Sequence, residues 1–114
     1  MEKLYEPEKS LCERILKEVG FEERLIGYRM HERAGAIMVS LYSFEEVVHL
    51  LNDRFPQLNL YRLEEWVREV MRDKELAARI KGVIEQKSND RERTQSIRIL
   101  MGERLCQCKK AVCY

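Results

Sequence analysis

Apolar residues recur at helical spacing along most of the chain. Leu11, Cys12, Ile15, Leu16 and Val19 share one face of a helix predicted over 7–19, with Pro7 in its first turn, a Ser10/Glu13 capping box and Gly20 as its stop. Phe44, Val47, Val48, Leu51 and Phe55 form a second such face behind another capping box, Ser43 with Glu46, and that helix ends before Pro56. Asn59 is the cap of a third, in which Leu60, Leu63, Trp66, Val67 and Val70 are the apolar side and Glu64 with Arg68 makes an i,i+4 pair. Asp73 opens a fourth, carried by Leu76, Ala77, Ile80, Val83 and Ile84 until Lys87-Ser88-Asn89-Asp90 interrupts it. A last helix runs from about Arg91 towards Lys110 with Ile97, Leu100, Met101, Leu105, Cys108 and Val112 as its stripe.

Residues 21–42 fit two patterns. Glu22, Glu23 and Arg24 read as a helix start, whereas Ile37-Met38-Val39-Ser40-Leu41-Tyr42 is rich in β-branched and aromatic residues. One solution is a short helix to about His31, broken at Ala34-Gly35 and followed by a buried segment. The other pairs 25–31 with 36–42 as a hairpin across Glu32-Arg33-Ala34-Gly35. The helix is preferred, because an isolated two-stranded hairpin has to be held by packing against helices.

Every assigned helix has one apolar and one charged face, so the expected fold is mainly α. The expectation is a single helical domain over 1–114, a bundle of five or six amphipathic helices around one core with Trp66 near its centre, and a short β-hairpin at 25–42 as the alternative for that segment. A chain of 114 residues has room for one such core. No Pro- or Ser-rich linker divides it, and no internal repeat is evident.

Charge refines this picture without redirecting it. The chain is 36% charged and 45% apolar, with a formal net charge of +1. Residues 1–57 carry 8 basic and 11 acidic side chains and residues 58–114 carry 13 and 9, so the halves are −3 and +4. Neither value approaches the basic stripe of a protein that binds by neutralising phosphates. The first residues lack the basic start and apolar run of a secretory signal, and the longest nearly apolar stretch, 34–42, is too short to span a bilayer. The expected location is the cytoplasm, with no membrane association, where thiols stay reduced.

Candidate chemistry concentrates in Cys106-x-Cys108-x4-Cys113. At about 100° per residue Cys108 lies at the centre of the apolar stripe while Cys106 and Cys113 point to the opposite side, so a continuous helix cannot bring the three sulfurs to one metal. If the helix ends near Leu105, the tail can curl and chelate zinc or iron, with Cys12 or His31 as a distant fourth ligand. Cys12, on the inner face of the first helix, reads as a small core side chain. His31 and His49 lack the spacing of a helical metal pair, and His49 faces away from its helix's stripe. The five glycines form no phosphate loop, and the carboxylate pairs Glu22-Glu23, Glu45-Glu46 and Glu64-Glu65 sit where they complement helix dipoles. Catalysis has no signature here.

The function expected is therefore that of a small cytoplasmic interaction protein, a regulator, adaptor or accessory subunit that docks on a protein partner or a second copy. Arg98, Ile99, Arg104 and Cys106 are its candidate surface: Ile99 and Cys106 lie opposite the main stripe of the last helix as contacts, and Arg98 and Arg104 are rim charges. Leu50, off the stripe of its own helix, adds exposed apolar area. One alternative is a metal-binding or thiol-redox protein using Cys106, Cys108 and Cys113. Another is a nucleic-acid-binding regulator with a helix-turn-helix around 44–71. Nucleic acid is disfavoured because Glu64, Glu65 and Glu69 would face phosphate with like charge, and because Asp90, Glu92 and Glu103 dilute the basic run from Arg91 to Lys110.

Overall fold

In a computed structural model, which describes residues 3–113 apart from the side chain of Cys113, the ambiguous segment is a hairpin. The elements follow in the order α1 (Lys9–Ile15), a 3-10 turn (Phe21–Glu23), β1 (Leu25–His31), β2 (Gly35–Leu41), α2 (Phe44–Leu51), α3 (Leu60–Glu69), α4 (Lys74–Gln86) and α5 (Asp90–Cys113). The architecture is mainly helical, five α-helices with one two-stranded antiparallel sheet among the described residues.

The preference for helix over 25–31 is corrected by three features of the hairpin. His31 pairs with Gly35, leaving a three-residue loop, and Gly35 takes the left-handed conformation (φ 75°) that such loops require after their first turn. The His31 ring stabilises that loop: its Nδ1 accepts from the backbone N–H groups of Arg33 (3.2 Å) and Ala34 (3.3 Å). Gly27 lets β1 lie directly on α2, since a Cβ at that position would stand 2.5 Å from Leu50 Cδ2 and 3.4 Å from Leu41 and Leu58 carbons. The outer edge of β1 is tied down as well, through Tyr28 N–H donating to Gln57 O at 2.8 Å. Leu50 is accordingly buried beneath the sheet, not exposed as its position off the helical stripe predicts.

Caps set the starts of α2 to α5, whereas α1 begins behind Glu8 with no side-chain cap, and Ser10, expected to open a capping box with Glu13, lies within the helix. Ser43 Oγ accepts from Glu46 N–H (3.1 Å), and Glu46 reaches back to the N–H of Tyr42 (3.2 Å). Asn59 and Asp73 accept from the first turns of α3 and α4 as expected, and Asn89 does so for α5. Two boundaries differ from the sequence reading. The first helix is shorter than 7–19, because after Leu16 the chain turns to deliver Val19 N–H to Tyr42 O (2.7 Å). In the second, Asn52 ends the helix, so Phe55 leaves the stripe and stands in solvent.

All buried apolar side chains belong to one cluster, which includes Cys12, Ile15, Phe44, Trp66, Ile97, Leu100, Met101 and Cys108. Trp66 is buried in it and donates from Nε1 to Glu23 O (2.7 Å), fixing the 3-10 turn on α3. Into the same interior comes Arg104, which occupies the α5 face between Leu100 and Cys108 and is 1% exposed. Its guanidinium has five N–H donors and makes five hydrogen bonds: Nε and Nη2 to Asp73 (2.8 and 3.4 Å), Nη2 to Glu75 (2.7 Å), and Nη1 to Tyr5 O (2.8 Å) and Gln107 Oε1 (2.9 Å). Asp73, also 1% exposed, is placed by a turn in which Arg72 adopts a positive φ of 60° and Asp73 N–H bonds back to Val67 O.

Arg104 and its neighbours hold residues 4 and 5 as an extended arm. Leu4 N–H donates to Glu103 (3.0 Å), Gln107 Nε2 donates to Leu4 O (3.1 Å), and Tyr5 N–H donates to Glu75 (2.9 Å), while the Leu4 side chain is buried. Truncation of Arg104 leaves Asp73 an unpaired buried charge and frees the arm. Arg104→Ala is expected to lower unfolding free energy by about 3–5 kcal/mol, read as a fall in the urea midpoint. Lys81→Ala, on the exposed face of α4, is expected to stay within about 0.5 kcal/mol of the parent.

Candidate functional site

The helix α5 is continuous from Asp90 to Cys113 and distributes the expected site residues over different environments. Cys106 is exposed and Cys108 is fully buried, so the turns that carry them keep their sulfurs on opposite sides. The side chain of Cys113, the third member of the expected cluster, lies outside the described residues. Among the described residues no three His, Cys, Asp or Glu side chains come together as a metal-binding group. The thiol that Cys108 meets is Cys12 of α1. Burial pushes the Cys108 thiol pKa well up, and the neighbouring Cys12 side chain adds to that push. A thiol kept protonated is a poor nucleophile and a poor ligand.

The four residues expected as one docking surface separate into three places. Arg104 is not a rim charge: it is the buried ion-pair centre described above, because its spacing of four from Leu100 and from Cys108 puts it on the inner face. Ile99, 54% exposed, and Cys106 lie together on the outer face of α5, where with Leu4 and the arm they border a cavity of about 660 Å³. Arg98 points elsewhere, donating to Asn52 Oδ1 (3.2 Å) beside the connection 52–59. Of the basic residues along α5, Lys109 is engaged by Glu45 of α2 at 2.7 Å, and that hydrogen bond lowers the Glu45 pKa.

A larger apolar surface lies on the hairpin. Its inner face places Leu25, Gly27, Val39 and Leu41 against the core, and by strict alternation its outer face carries Ile26, Tyr28, Met30, Ala36, Met38 and Ser40. Tyr28, Met30 and Met38 are 42%, 50% and 59% exposed. Tyr28 and Met38 are a cross-strand pair, as are Met30 and Ala36, so the exposed groups are contiguous. The far edge of β2 makes no backbone hydrogen bond outside the β1 ladder among the described residues. This strand, Gly35-Ala36-Ile37-Met38-Val39-Ser40-Leu41, contains no charge and no proline, the usual protections of an open edge. The signal available in the sequence is the β-branched and aromatic content of Ile37-Met38-Val39-Ser40-Leu41-Tyr42 with a glycine at the loop, and both strands carry it without a clean alternation.

The helix-turn-helix expected around 44–71 has two helices in the right places, α2 and α3, joined by eight residues. Such motifs use a turn of about three or four. No helix among the described residues is long and apolar enough to cross a membrane. No family model matches this chain, and no curated protein or solved structure is significantly similar to it.

The burial difference along α5 has a direct chemical readout. In a Cys113→Ser background, the folded protein is expected to react with one equivalent of a maleimide or aromatic disulfide reagent, at Cys106, and the denatured protein with three. Folding also holds the Cys108 proton more tightly than the unfolded chain does. Stability is therefore expected to be full below the ordinary thiol range, about 8.5, and to fall as pH rises above it. Cys108→Ala is expected to make that alkaline decline shallower in urea titrations at successive pH values.

Proposed function

We propose that this chain is a small helical interaction protein, a regulator, adaptor or accessory subunit in the cytoplasm, that works as one domain with its helices bundled behind the hairpin and acts through protein-protein contacts. The observation that carries the reading is the outer face of the hairpin, whose tyrosine and two methionines stand in solvent next to an unpaired strand edge. Contiguous apolar area of this kind marks docking sites, and methionine side chains adapt to varied partners. The occupant that fits is an extended segment with apolar side chains at alternate positions. Laid along β2, it supplies the missing backbone hydrogen bonds and covers Met38 and Tyr28. Ile99 and Cys106 provide a second, smaller apolar area on α5. The metal and thiol-redox reading of Cys106, Cys108 and Cys113 gains no support from the geometry of α5.

The test substitutes Met38→Lys, which places a charge on the outer face without touching the core. The parent is expected to retain a protein partner in quantitative co-purification, or to form dimers in sedimentation velocity at tens of micromolar. Met38→Lys is expected to lose that association, and Lys81→Ala to keep it. The reading is overturned if the parent is monomeric and Met38→Lys retains the same proteins in the same amounts.

A further inference from the structure

We propose that the groove between the connection 52–59, the start of α3 and the first turns of α5 binds single-stranded nucleic acid. Its first half is a cavity of about 530 Å³ lined by Arg54, Arg91, Arg98 and Phe55. Its second half, about 400 Å³, is lined by Arg93 and Tyr61, and the two halves share Pro56, Gln57, Asp90 and Thr94.

Charge is the first argument. Counted along the sequence, the basic run of α5 is diluted by its acids. In space the two acids that line the groove are paired: Asp53 with Arg29 of the hairpin (3.2 Å) and Asp90 with Arg93 (3.2 Å). Arg54, Arg91 and Arg98 have no carboxylate partner among the described residues. Four arginines and two aspartates line the two halves, a local charge of +2 on a chain whose total is +1. Three guanidiniums lining one open cavity form a phosphate-tracking surface.

Aromatic exposure is the second. Phe55 and Tyr61 are 60% and 66% exposed, and one lies in each half of the groove. Phe55 left its predicted helical stripe to stand here, with the Arg54 guanidinium 5.5 Å from its ring centroid. An exposed ring in each half and three arginines without a carboxylate partner in the first, with amide and hydroxyl groups between them, supply what single strands use, bases stacked on rings and phosphates on cations. The groove is independent of the hairpin face and of any helix-turn-helix. It reads no duplex groove, and the glutamates of α3 that oppose a duplex do not line either half.

The experiment is fluorescence anisotropy with a fluorescein-labelled ten-nucleotide oligouridylate and its oligothymidylate counterpart, repeated from 20 to 200 mM salt. Micromolar binding is expected, with a log-log salt slope of about −2 for three phosphates neutralised on a single strand. Phe55→Ala with Tyr61→Ala is expected to weaken binding by about ten-fold or more at unchanged salt slope. Arg54→Ala, Arg91→Ala and Arg98→Ala together are expected to flatten the slope. All five positions are outside the core cluster, and circular dichroism is the check that the variants fold. The proposal is overturned if neither oligonucleotide binds, if the triple arginine variant binds as the parent does, if loss of both rings has no effect, or if uridine monophosphate or a duplex of equal length competes as well as the single strand.

Discussion

The ion pair between Arg104 and Asp73 is the interaction around which the rest of the molecule is arranged. Two charges withdrawn from water are tolerated only when every donor and acceptor is met, and here all five guanidinium donors are. Meeting them recruits four parts of the chain: the cap of α4, its first turn at Glu75, the next turn of α5 at Gln107 and the backbone of Tyr5. The positive φ of Arg72 follows from the same requirement, since that turn aims the Asp73 carboxylate both at its own helix and at Arg104. A hydrophobic side chain at 104 would fill the space, yet it would specify neither the register of α4 against α5 nor the path of the arm.

The helices were legible because each is amphipathic on its own. Ser43, Asn59 and Asp73 open helices where their side chains can cap, and the stripe from Ile97 to Cys108 is buried as its spacing requires. What could not be read was any feature that depends on two distant segments. The hairpin is stable because Gly27 permits contact with Leu50, and Leu50 is buried because the hairpin covers it; each assignment fails without the other. Arg104 looks like a surface arginine until its acidic partners at 73 and 75 are placed beside it. Its position four residues from both Leu100 and Cys108 was the available local signal.

The candidate surfaces follow the same division. The expected site lay on one helix and was inferred from that helix alone, so it combined residues whose neighbours differ: Arg98 turns to the connection 52–59, Ile99 and Cys106 to the arm, and Arg104 to the interior. Charge behaves likewise. A linear count sees the arginines from Arg91 onward diluted by the acids among them, whereas the folded chain assigns Asp90 to Arg93 and leaves Arg91 without a carboxylate partner in the groove. Pairing, more than number, decides which surface carries field.

The arm couples two segments about a hundred residues apart. Leu4 and Tyr5 bond to Glu103, Arg104 and Gln107, partners 99 to 103 positions downstream. Contacts of so large a sequence separation carry a loop-closure cost that nearer contacts do not. Arg104 is not satisfied until that cost has been met, so the buried charge pair and the arm form as one late step, and a loosening of either is felt by the other.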